Sequence, residues 1–238
     1  MKLRLLTLAF AAIFLLPKET LSQETHGDPE FWFLLLNHYE INEKWTVGNE
    51  VHIRRTDWFS DQKQFILRPF VNFKPGESVI YTAGYSYIST EPYGKYPLPA
   101  TLPEHNFWEQ VTVNQSLGKT TLSHRYRMEH RYQGNQIERP PGGTIERDGY
   151  NFSNRFRYRL TLRKPISEDY FIHIFDELWV SADSKFKQAS YNQNWIYLGF
   201  GRNVGNGNVQ LAYLHQHASS DGIVERHPSL QVTFQYDF

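Results

Sequence analysis

Apolar and polar side chains alternate strictly along the last nine residues of the chain. Leu230, Val232, Phe234, Tyr236 and Phe238 share one face of an extended strand, and polar side chains occupy the other face. A strand that is apolar on one side, polar on the other and aromatic at its end is typical of a barrel with lipid outside and water inside. The pattern predicts a transmembrane β-barrel.

The same two-residue alternation recurs along the chain and predicts further strands separated by turn residues. The predicted strands span residues 30–41, 44–55, 63–74, 78–91, 105–117, 119–132, 149–163, 170–183, 190–203, 208–218 and 228–238. Short turns alternate with mostly longer loops between them, as in outer-membrane barrels. We therefore predict an all-β fold, a transmembrane antiparallel up-and-down β-barrel of about 10–12 strands.

The number of predicted strands conflicts with the expected parity of such a barrel. The alternation gives eleven strands, whereas a bacterial single-chain barrel is expected to have an even number. The first segment is the least regular, because residues 31–36 are apolar on both faces. Either this segment is not a full wall strand, which leaves ten, or one strand is missing from the prediction, which makes twelve. Twelve is the preferred count.

The N-terminal segment predicts export. Lys2 and Arg4 precede an apolar run of twelve residues, 5–16, which is followed by Pro17 and a polar stretch. A helix needs roughly 20 apolar residues to span a bilayer, so this run is typical of a signal peptide instead. We predict a signal peptide in residues 1–22 and one barrel domain in residues 23–238. The predicted location is the bacterial outer membrane, with its lipids and, through the C-terminal strand, the barrel assembly machinery as partners.

Composition removes several other classes of protein. No later apolar stretch approaches the length of a membrane-spanning helix, and 16% of the residues are aromatic, which suits aromatic girdles at two lipid interfaces. The absence of cysteine excludes disulfides and thiolate metal sites. The 25 acidic and 25 basic residues balance, so the net charge does not indicate nucleic-acid binding. We predict no cofactor and no metal site.

Charged residues recur on the polar face of the predicted strands. A charged side chain facing lipid costs about 2–4 kcal/mol at the membrane midplane, so these residues are expected to face the lumen. The predicted lumen-lining residues are Glu50, Arg54, Arg68, Arg125, Arg127, Glu129, Arg131, Arg155, Arg157, Arg159 and Glu177. With Arg163 added, nine arginines accompany three glutamates.

Two interpretations of this charged interior remain open at the level of sequence. In the first, arginines and glutamates of adjacent strands pair and fill a narrow barrel. In the second, the excess of arginine lines a passage or binding cavity for anions, because rings of arginine select phosphate-like or carboxylate solutes. The two interpretations differ in whether the lumen is occluded.

Several of these features occur in an order that resembles a known bacterial family. They are an early tryptophan-rich hairpin, Glu50 and Arg54 followed by Asp57-Trp58, Arg125 and Arg127, then Arg155, Arg157 and Arg159, and a final strand with His227-Pro228, Leu230, Val232 and Phe234. The chain is similar over residues 28–238 to the outer-membrane family catalogued as domain of unknown function 2490. The resemblance implies a porin-like barrel with no assigned reaction and no catalytic residues.

One segment offers an enzyme alternative. His217 and Ser219 are spaced like the His-x-Ser pair of outer-membrane lipid A deacylases, and Glu225 follows as an acid that could orient the histidine. The asparagine that follows the serine in those enzymes is Ser220 here. His215 and His217 lack a third ligand for a metal ion. We therefore predict no catalytic residues.

Overall fold

The computed structural model describes residues 25–94, 98, 100–137, 146–220 and 223–238, so the predicted signal peptide lies outside the described residues. The strands are β1 (Thr25–His26), β2 (Glu30–Glu40), β3 (Trp45–Thr56), β4 (Asp61–Phe73), β5 (Val79–Thr90), β6 (Leu102–Leu117), β7 (Thr120–Ile137), β8 (Glu146–Pro165), β9 (Tyr170–Ala182), β10 (Ala189–Val204), β11 (Gly207–Ser220) and β12 (Ile223–Asp237). The described part of the chain contains no helix long and apolar enough to cross a membrane.

In the part of the chain that the structure describes, eleven strands, β2 to β12, form one closed barrel wall. Each pairs antiparallel with its neighbour in sequence, and β12 pairs in parallel with β2, from Ser229 opposite Glu30 to Asp237 opposite His38. The two-residue β1 also lies parallel to β12. The all-β barrel is confirmed, and the preference for twelve wall strands was wrong. An odd number of alternating strands leaves the first and the last running in the same direction, so a parallel pair closes the sheet.

The first segment is a full wall strand despite its lack of alternation. Trp32, Leu34 and Leu36 point into the barrel, where they line the interior cavity. Phe31 and Phe33 lie on the other face, where Phe33 packs against Phe234 of β12 with ring centroids 5.4 Å apart. The strand is apolar on both faces because one face belongs to the apolar outer surface of the barrel and the other to an apolar part of the interior.

Several strands are longer than the alternation predicted. The predicted start at residue 105 excludes Pro103, and the predicted start at residue 228 makes Pro228 the first strand residue, yet the structure places both prolines inside strands. The expected long loop 219–227 is reduced to the two residues 221–222, because β11 runs to Ser220 and β12 begins at Ile223. Strand ends beyond the apolar band lose the alternation that marks them, so sequence underestimates their length.

The connections define two ends of the barrel. Residues 41–44, 74–78, 118–119, 166–169 and 205–206 connect strands at what we name the turn end. Residues 57–60, 91–101, 138–145, 183–188 and 221–222 connect them at the loop end. The first wall strand, β2, begins at the loop end with Glu30, and the last, β12, ends at the turn end with Asp237.

The outer surface is apolar over most of the strands. Exposed outward side chains include Ile53, Leu67, Phe156, Leu178, Ile196, Leu198, Leu211 and Phe234. Aromatic pairs lie near the turn end, among them Trp45 with Phe73 at 4.7 Å and Tyr170 with Phe200 at 5.4 Å between ring centroids. A soluble monomer rarely exposes an apolar surface of this extent.

Part of the interior is aromatic rather than charged. A cluster that we name the aromatic wall consists of Trp32, Phe175, Trp179, Trp195, Tyr197, Ala212 and Leu214. Phe175 and Tyr197 stack with centroids 4.5 Å apart, and Trp179 and Trp195 lie 4.4 Å apart. The interior therefore has an aromatic side, on β2 and β9 to β11, and a charged side.

Large interior rings lie over glycines of the neighbouring strand. Gly84 is directly opposite Trp108, and Gly201 is directly opposite Phe171. A Cβ atom built on either glycine would overlap the ring. Glycine leaves room for an aromatic ring to lie flat over the sheet, a known device of β-sheets.

Gly84→Ala is expected to destabilise the barrel by about 1–3 kcal/mol through overpacking. The new methyl group would overlap the Trp108 ring and lie 2.9 Å from the backbone oxygen of Pro69, which cannot move independently of the sheet. Gly76→Ala is the matched control, because nothing lies within 4 Å of its Cβ position. Urea unfolding of both variants in lipid vesicles measures the difference. Equal free energies of unfolding would show that the ring moves aside without cost.

Candidate functional site

Seven charged side chains on β7, β8 and β9 form one cluster inside the barrel, which we name the charged lattice. Its members are Arg125, Arg127, Glu129, Arg155, Arg157, Arg159 and Glu177. Glu177 is fully buried and binds three arginines. It accepts hydrogen bonds from Arg157 Nε at 2.9 Å, from Arg159 Nη2 at 2.6 Å and from Arg125. Its carboxylate therefore joins all three lattice strands.

Glu129 is the second carboxylate of the lattice. It accepts hydrogen bonds from Arg155 Nε at 2.6 Å and from Arg157 Nη1 at 2.7 Å, and Arg127 Nη1 lies 3.9 Å away. Arg157 consequently bridges Glu129 and Glu177. Charge-assisted hydrogen bonds of this kind are stronger than neutral ones, which favours one fixed arrangement of the lattice.

Strand register explains why the lattice needs its glutamates. Arg127 lies directly opposite Arg157, and Arg125 lies directly opposite Arg159, across the β7–β8 pair. Like charges in directly opposite positions destabilise a sheet. Glu177 is opposite Arg159 across the β8–β9 pair and places negative charge between the arginines.

Two further carboxylates pair with arginines elsewhere in the barrel. Glu50 on β3 accepts a hydrogen bond from Arg68 Nη1 at 2.6 Å and lies 2.9 Å from His52 Nε2. Glu104 on β6 accepts two hydrogen bonds from Arg131, both at 2.8 Å. Together with the lattice, these pairs distribute charge over β3, β4 and β6 to β9.

Guanidinium groups also stack on interior aromatic rings. Arg157 lies 3.6 Å from the centroid of Trp179, Arg54 lies 3.7 Å from that of Trp32, and Arg127 lies 4.0 Å from that of Trp108. Such cation–π contacts are worth about 2 kcal/mol when desolvated. The stacks connect the charged side of the interior to the aromatic wall.

A cavity of about 450 Å³ lies within the barrel. Its walls include Lys63, near the start of β4, and Gln235, near the end of β12, so the cavity extends between the loop end and the turn end. The cationic side chains that line it are Arg54, Lys63, Arg68, Arg125, Arg131, Arg155, Arg157 and Arg159. Of the described residues only two carboxylates line it, those of Glu50 and Glu104. The surface of the cavity is therefore positively charged.

The structure places all the sequence-predicted site residues inside the barrel. Glu50, Arg54, Arg68, Arg125, Arg131, Arg155, Arg157 and Arg159 line the cavity, and Arg127, Glu129 and Glu177 are buried beside it. Sequence reasoning missed Glu30, Lys63 and Glu104. These three residues lie near strand ends, where a charged side chain can reach water on either face of the sheet. The cost of facing lipid therefore does not predict their inward orientation.

Two of the missed residues, Glu30 and Lys63, belong to a cluster at the closing pair of strands, which we name the seam cluster. Its members are Glu30, Trp32, Lys63, Gln216 and His227. Glu30 is fully buried; it accepts hydrogen bonds from Trp32 Nε1 at 2.6 Å and from Lys63, and lies 3.1 Å from His227 Nδ1. One carboxylate thus joins β2 and β4 to β11 and β12.

The residues of the enzyme alternative do not meet. His217 faces outward, and its Nδ1 lies 2.6 Å from the Tyr191 hydroxyl. Glu225 lies 3.3 Å from His227 Nε2, on the interior face of β12. The sheet therefore separates the acid from the histidine, and Ser219 shares only the outer face with His217. Within the described ranges, no three His, Cys, Asp or Glu side chains are grouped to hold a metal ion.

The family is shown by comparison with known proteins. A family model described as "Protein of unknown function (DUF2490)" matches residues 30–226. The chain belongs to this family. The resemblance inferred from Glu50, Arg54 and the Arg-rich strands is thereby confirmed.

A search of curated proteins finds no match. Among solved structures, the translocator domain of the autotransporter NalP from Neisseria meningitidis is similar, with 15% sequence identity and a TM-score of 0.47. The match covers 77% of this chain and 71% of that chain.

Proposed function

We propose that this protein is a β-barrel of the bacterial outer membrane that provides a narrow, positively charged passage for small anions. The apolar outer surface supports a membrane location, because outward side chains such as Leu198 and Leu211 would otherwise be exposed to water. The outer membrane is the compartment in which single-chain bacterial barrels reside. The predicted signal peptide in residues 1–22 provides export across the inner membrane.

The charge of the cavity is the observation that carries the proposal. Eight cationic side chains and two carboxylates line one cavity that reaches toward both ends of the barrel. Rings of arginine favour anions over cations in membrane pores. The carboxylates of Glu129 and Glu177 are hydrogen-bonded to lattice arginines and do not line the cavity.

The same contacts limit the size of the solute. Guanidinium–indole stacks and ion pairs fill the side of the barrel formed by β6 to β9. The remaining 450 Å³ lies at the low end of the volumes that hold drug-sized ligands. The passage is therefore suited to small anions rather than to oligosaccharides or peptides.

The C-terminal strand supports the proposed partners. Tyr236 and Phe238 pack at 4.6 Å between ring centroids on the outer side of the turn end. We expect the barrel assembly machinery to recognise this strand and outer-membrane lipids to surround the wall.

Reconstitution of the purified full chain in planar bilayers tests the passage. With KCl at different concentrations on the two sides, the reversal potential is expected to lie toward the equilibrium potential of chloride. Cell fractionation should recover the protein with the outer membrane, and its folded form should migrate differently on gels from the heated form. A cation-selective current, or no current above that of protein-free bilayers, would refute the passage. Recovery as a soluble periplasmic protein would refute the location.

A further inference from the structure

Arg54 differs from the other cavity-lining arginines in having no carboxylate partner among the described residues. Its guanidinium lies over Trp32 and donates one hydrogen bond, from Nη1 to Gln64 Oε1 at 2.8 Å. The residue is 9% exposed, and its Nε has no hydrogen-bond partner among the described residues. A buried cation without a counter-charge is costly unless something else provides the negative charge.

A second unpartnered donor lies on the same cavity. The indole Nε1 of Trp179 is buried and makes no hydrogen bond. The Trp195 ring lies 4.4 Å from that of Trp179 and 5.4 Å from the guanidinium of Arg54. Trp32, Arg54, Trp179 and Trp195 all line the cavity. Both residues that carry an unused donor therefore line the same cavity.

The other cations of this region each have a carboxylate within bonding distance. Lys63 binds Glu30, and Arg155 and Arg157 bind Glu129. Among the described residues, Arg54 is therefore the cavity-lining cation near the loop end that has no carboxylate partner. Guanidinium donors and a neutral N–H are the groups that proteins use to bind carboxylate and phosphate oxygens.

We propose that Arg54 is the centre of a binding site for the oxyanion of a small solute, either a carboxylate or a phosphate. The guanidinium of Arg54 provides the positive charge and the donors, and Trp32, Trp179 and Trp195 line the cavity beside it. The site rests on the positively charged cavity of the proposed function, but it does not require conduction.

Intrinsic tryptophan fluorescence provides a direct measurement of binding. The full chain in detergent micelles is titrated with inorganic phosphate and, in a separate arm, with acetate, at constant ionic strength set by chloride. Saturable change in the emission of the tryptophans near Arg54 is expected in at least one arm. The arm that saturates at lower concentration identifies phosphate or carboxylate as the preferred oxyanion.

Two variants distinguish binding at a specific site from nonspecific attraction of anions by the positive charge of the interior. Arg54→Gln is expected to weaken binding by about 10-fold or more, since hydrogen bonds to charged groups are lost. Arg163→Gln is the matched control and is expected to leave binding unchanged. Arg163 is an interior arginine near the turn end that stacks on Phe171 at 3.8 Å and does not line the cavity. If Arg54→Gln does not fold, Arg54→Lys keeps the charge, and weaker binding is still expected because lysine lacks the planar fork.

The outcomes distinguish this site from the passage. No saturable signal in either arm, or equal loss in the Arg54 and Arg163 variants, would overturn the site. Undiminished binding by a folded Arg54 variant would do the same. An anion current with no saturable binding would support the passage and refute the site. Saturable binding with no current would support the site and refute the passage.

Discussion

Replacing Glu177 with alanine is expected to destabilise the barrel by about 3–5 kcal/mol, the usual cost of removing one partner from a buried ion pair. Glu177 is fully buried and binds Arg125, Arg157 and Arg159. Without it, Arg125 and Arg159 remain directly opposite each other with no charge between them. Urea titration of the barrel in lipid vesicles measures the free energy of unfolding.

A matched variant distinguishes the effect of breaking the buried ion pairs from the effect of removing a glutamate elsewhere in the wall. Glu109 is exposed on the outer surface, where its carboxylate lies 3.3 Å from His130 Nε2. Glu109→Ala breaks no buried ion pair, so it is not expected to lower the free energy of unfolding. Adding Arg159→Met to Glu177→Ala should recover part of the lost stability, because an uncompensated charge is removed. Equal free energies of unfolding for Glu177→Ala and Glu109→Ala would show that the ion pairs of the lattice do not stabilise the barrel.

Glu30→Ala is expected to destabilise the barrel by a similar amount, about 3–5 kcal/mol, and to loosen the closing pair of strands specifically. Glu30 is fully buried and lies within bonding distance of Trp32, Lys63 and His227. Its removal leaves Lys63 without its counter-charge and withdraws contacts that join β2 and β4 to β12. The parallel β2–β12 pair is then expected to open more often than other pairs.

Hydrogen exchange of backbone amides measures this opening strand by strand. In Glu30→Ala, amides of β2 and β12 are expected to exchange faster, while those of β6 and β7 change little. Glu104→Ala is the control, because it removes another buried glutamate, bound to Arg131 between β6 and β7. If the two variants give the same pattern of exchange, Glu30 has no particular role in closure.

The sequence by itself determined the wall and its orientation. Alternation along Leu230 to Phe238 and in nine further segments predicted strands that the structure contains, as did the apolar, non-alternating segment that forms β2. A charge facing lipid is costly, so the side of each strand that carries Arg125, Arg157 or Glu177 could be oriented without knowing its neighbours. Both inferences depend on local pattern, which a single sequence displays in full.

The tertiary structure alone decided how the barrel closes. Alternation states which face of a strand is apolar, but it does not state which strands meet. The described residues form eleven wall strands, so the preferred count of twelve was wrong. Because eleven is odd, β2 and β12 run in the same direction and pair in parallel. The apolar inner face of β2 became understandable only when Trp32 was found against Trp195 of the aromatic wall.

The pairing of charges was also decided by tertiary structure. Sequence could count arginines and glutamates on the inner faces, but the bonds of Glu177 to three arginines depend on strand register and side-chain reach across three strands. Glu30, Lys63 and Glu104 lie at strand ends, where no penalty fixes their direction, and only the packed barrel brings them to their partners. Arg54 has the same sequence signature as the paired arginines. Arg54 has no carboxylate partner among the described residues because of where side chains on neighbouring strands lie, and a local sequence pattern does not contain that information.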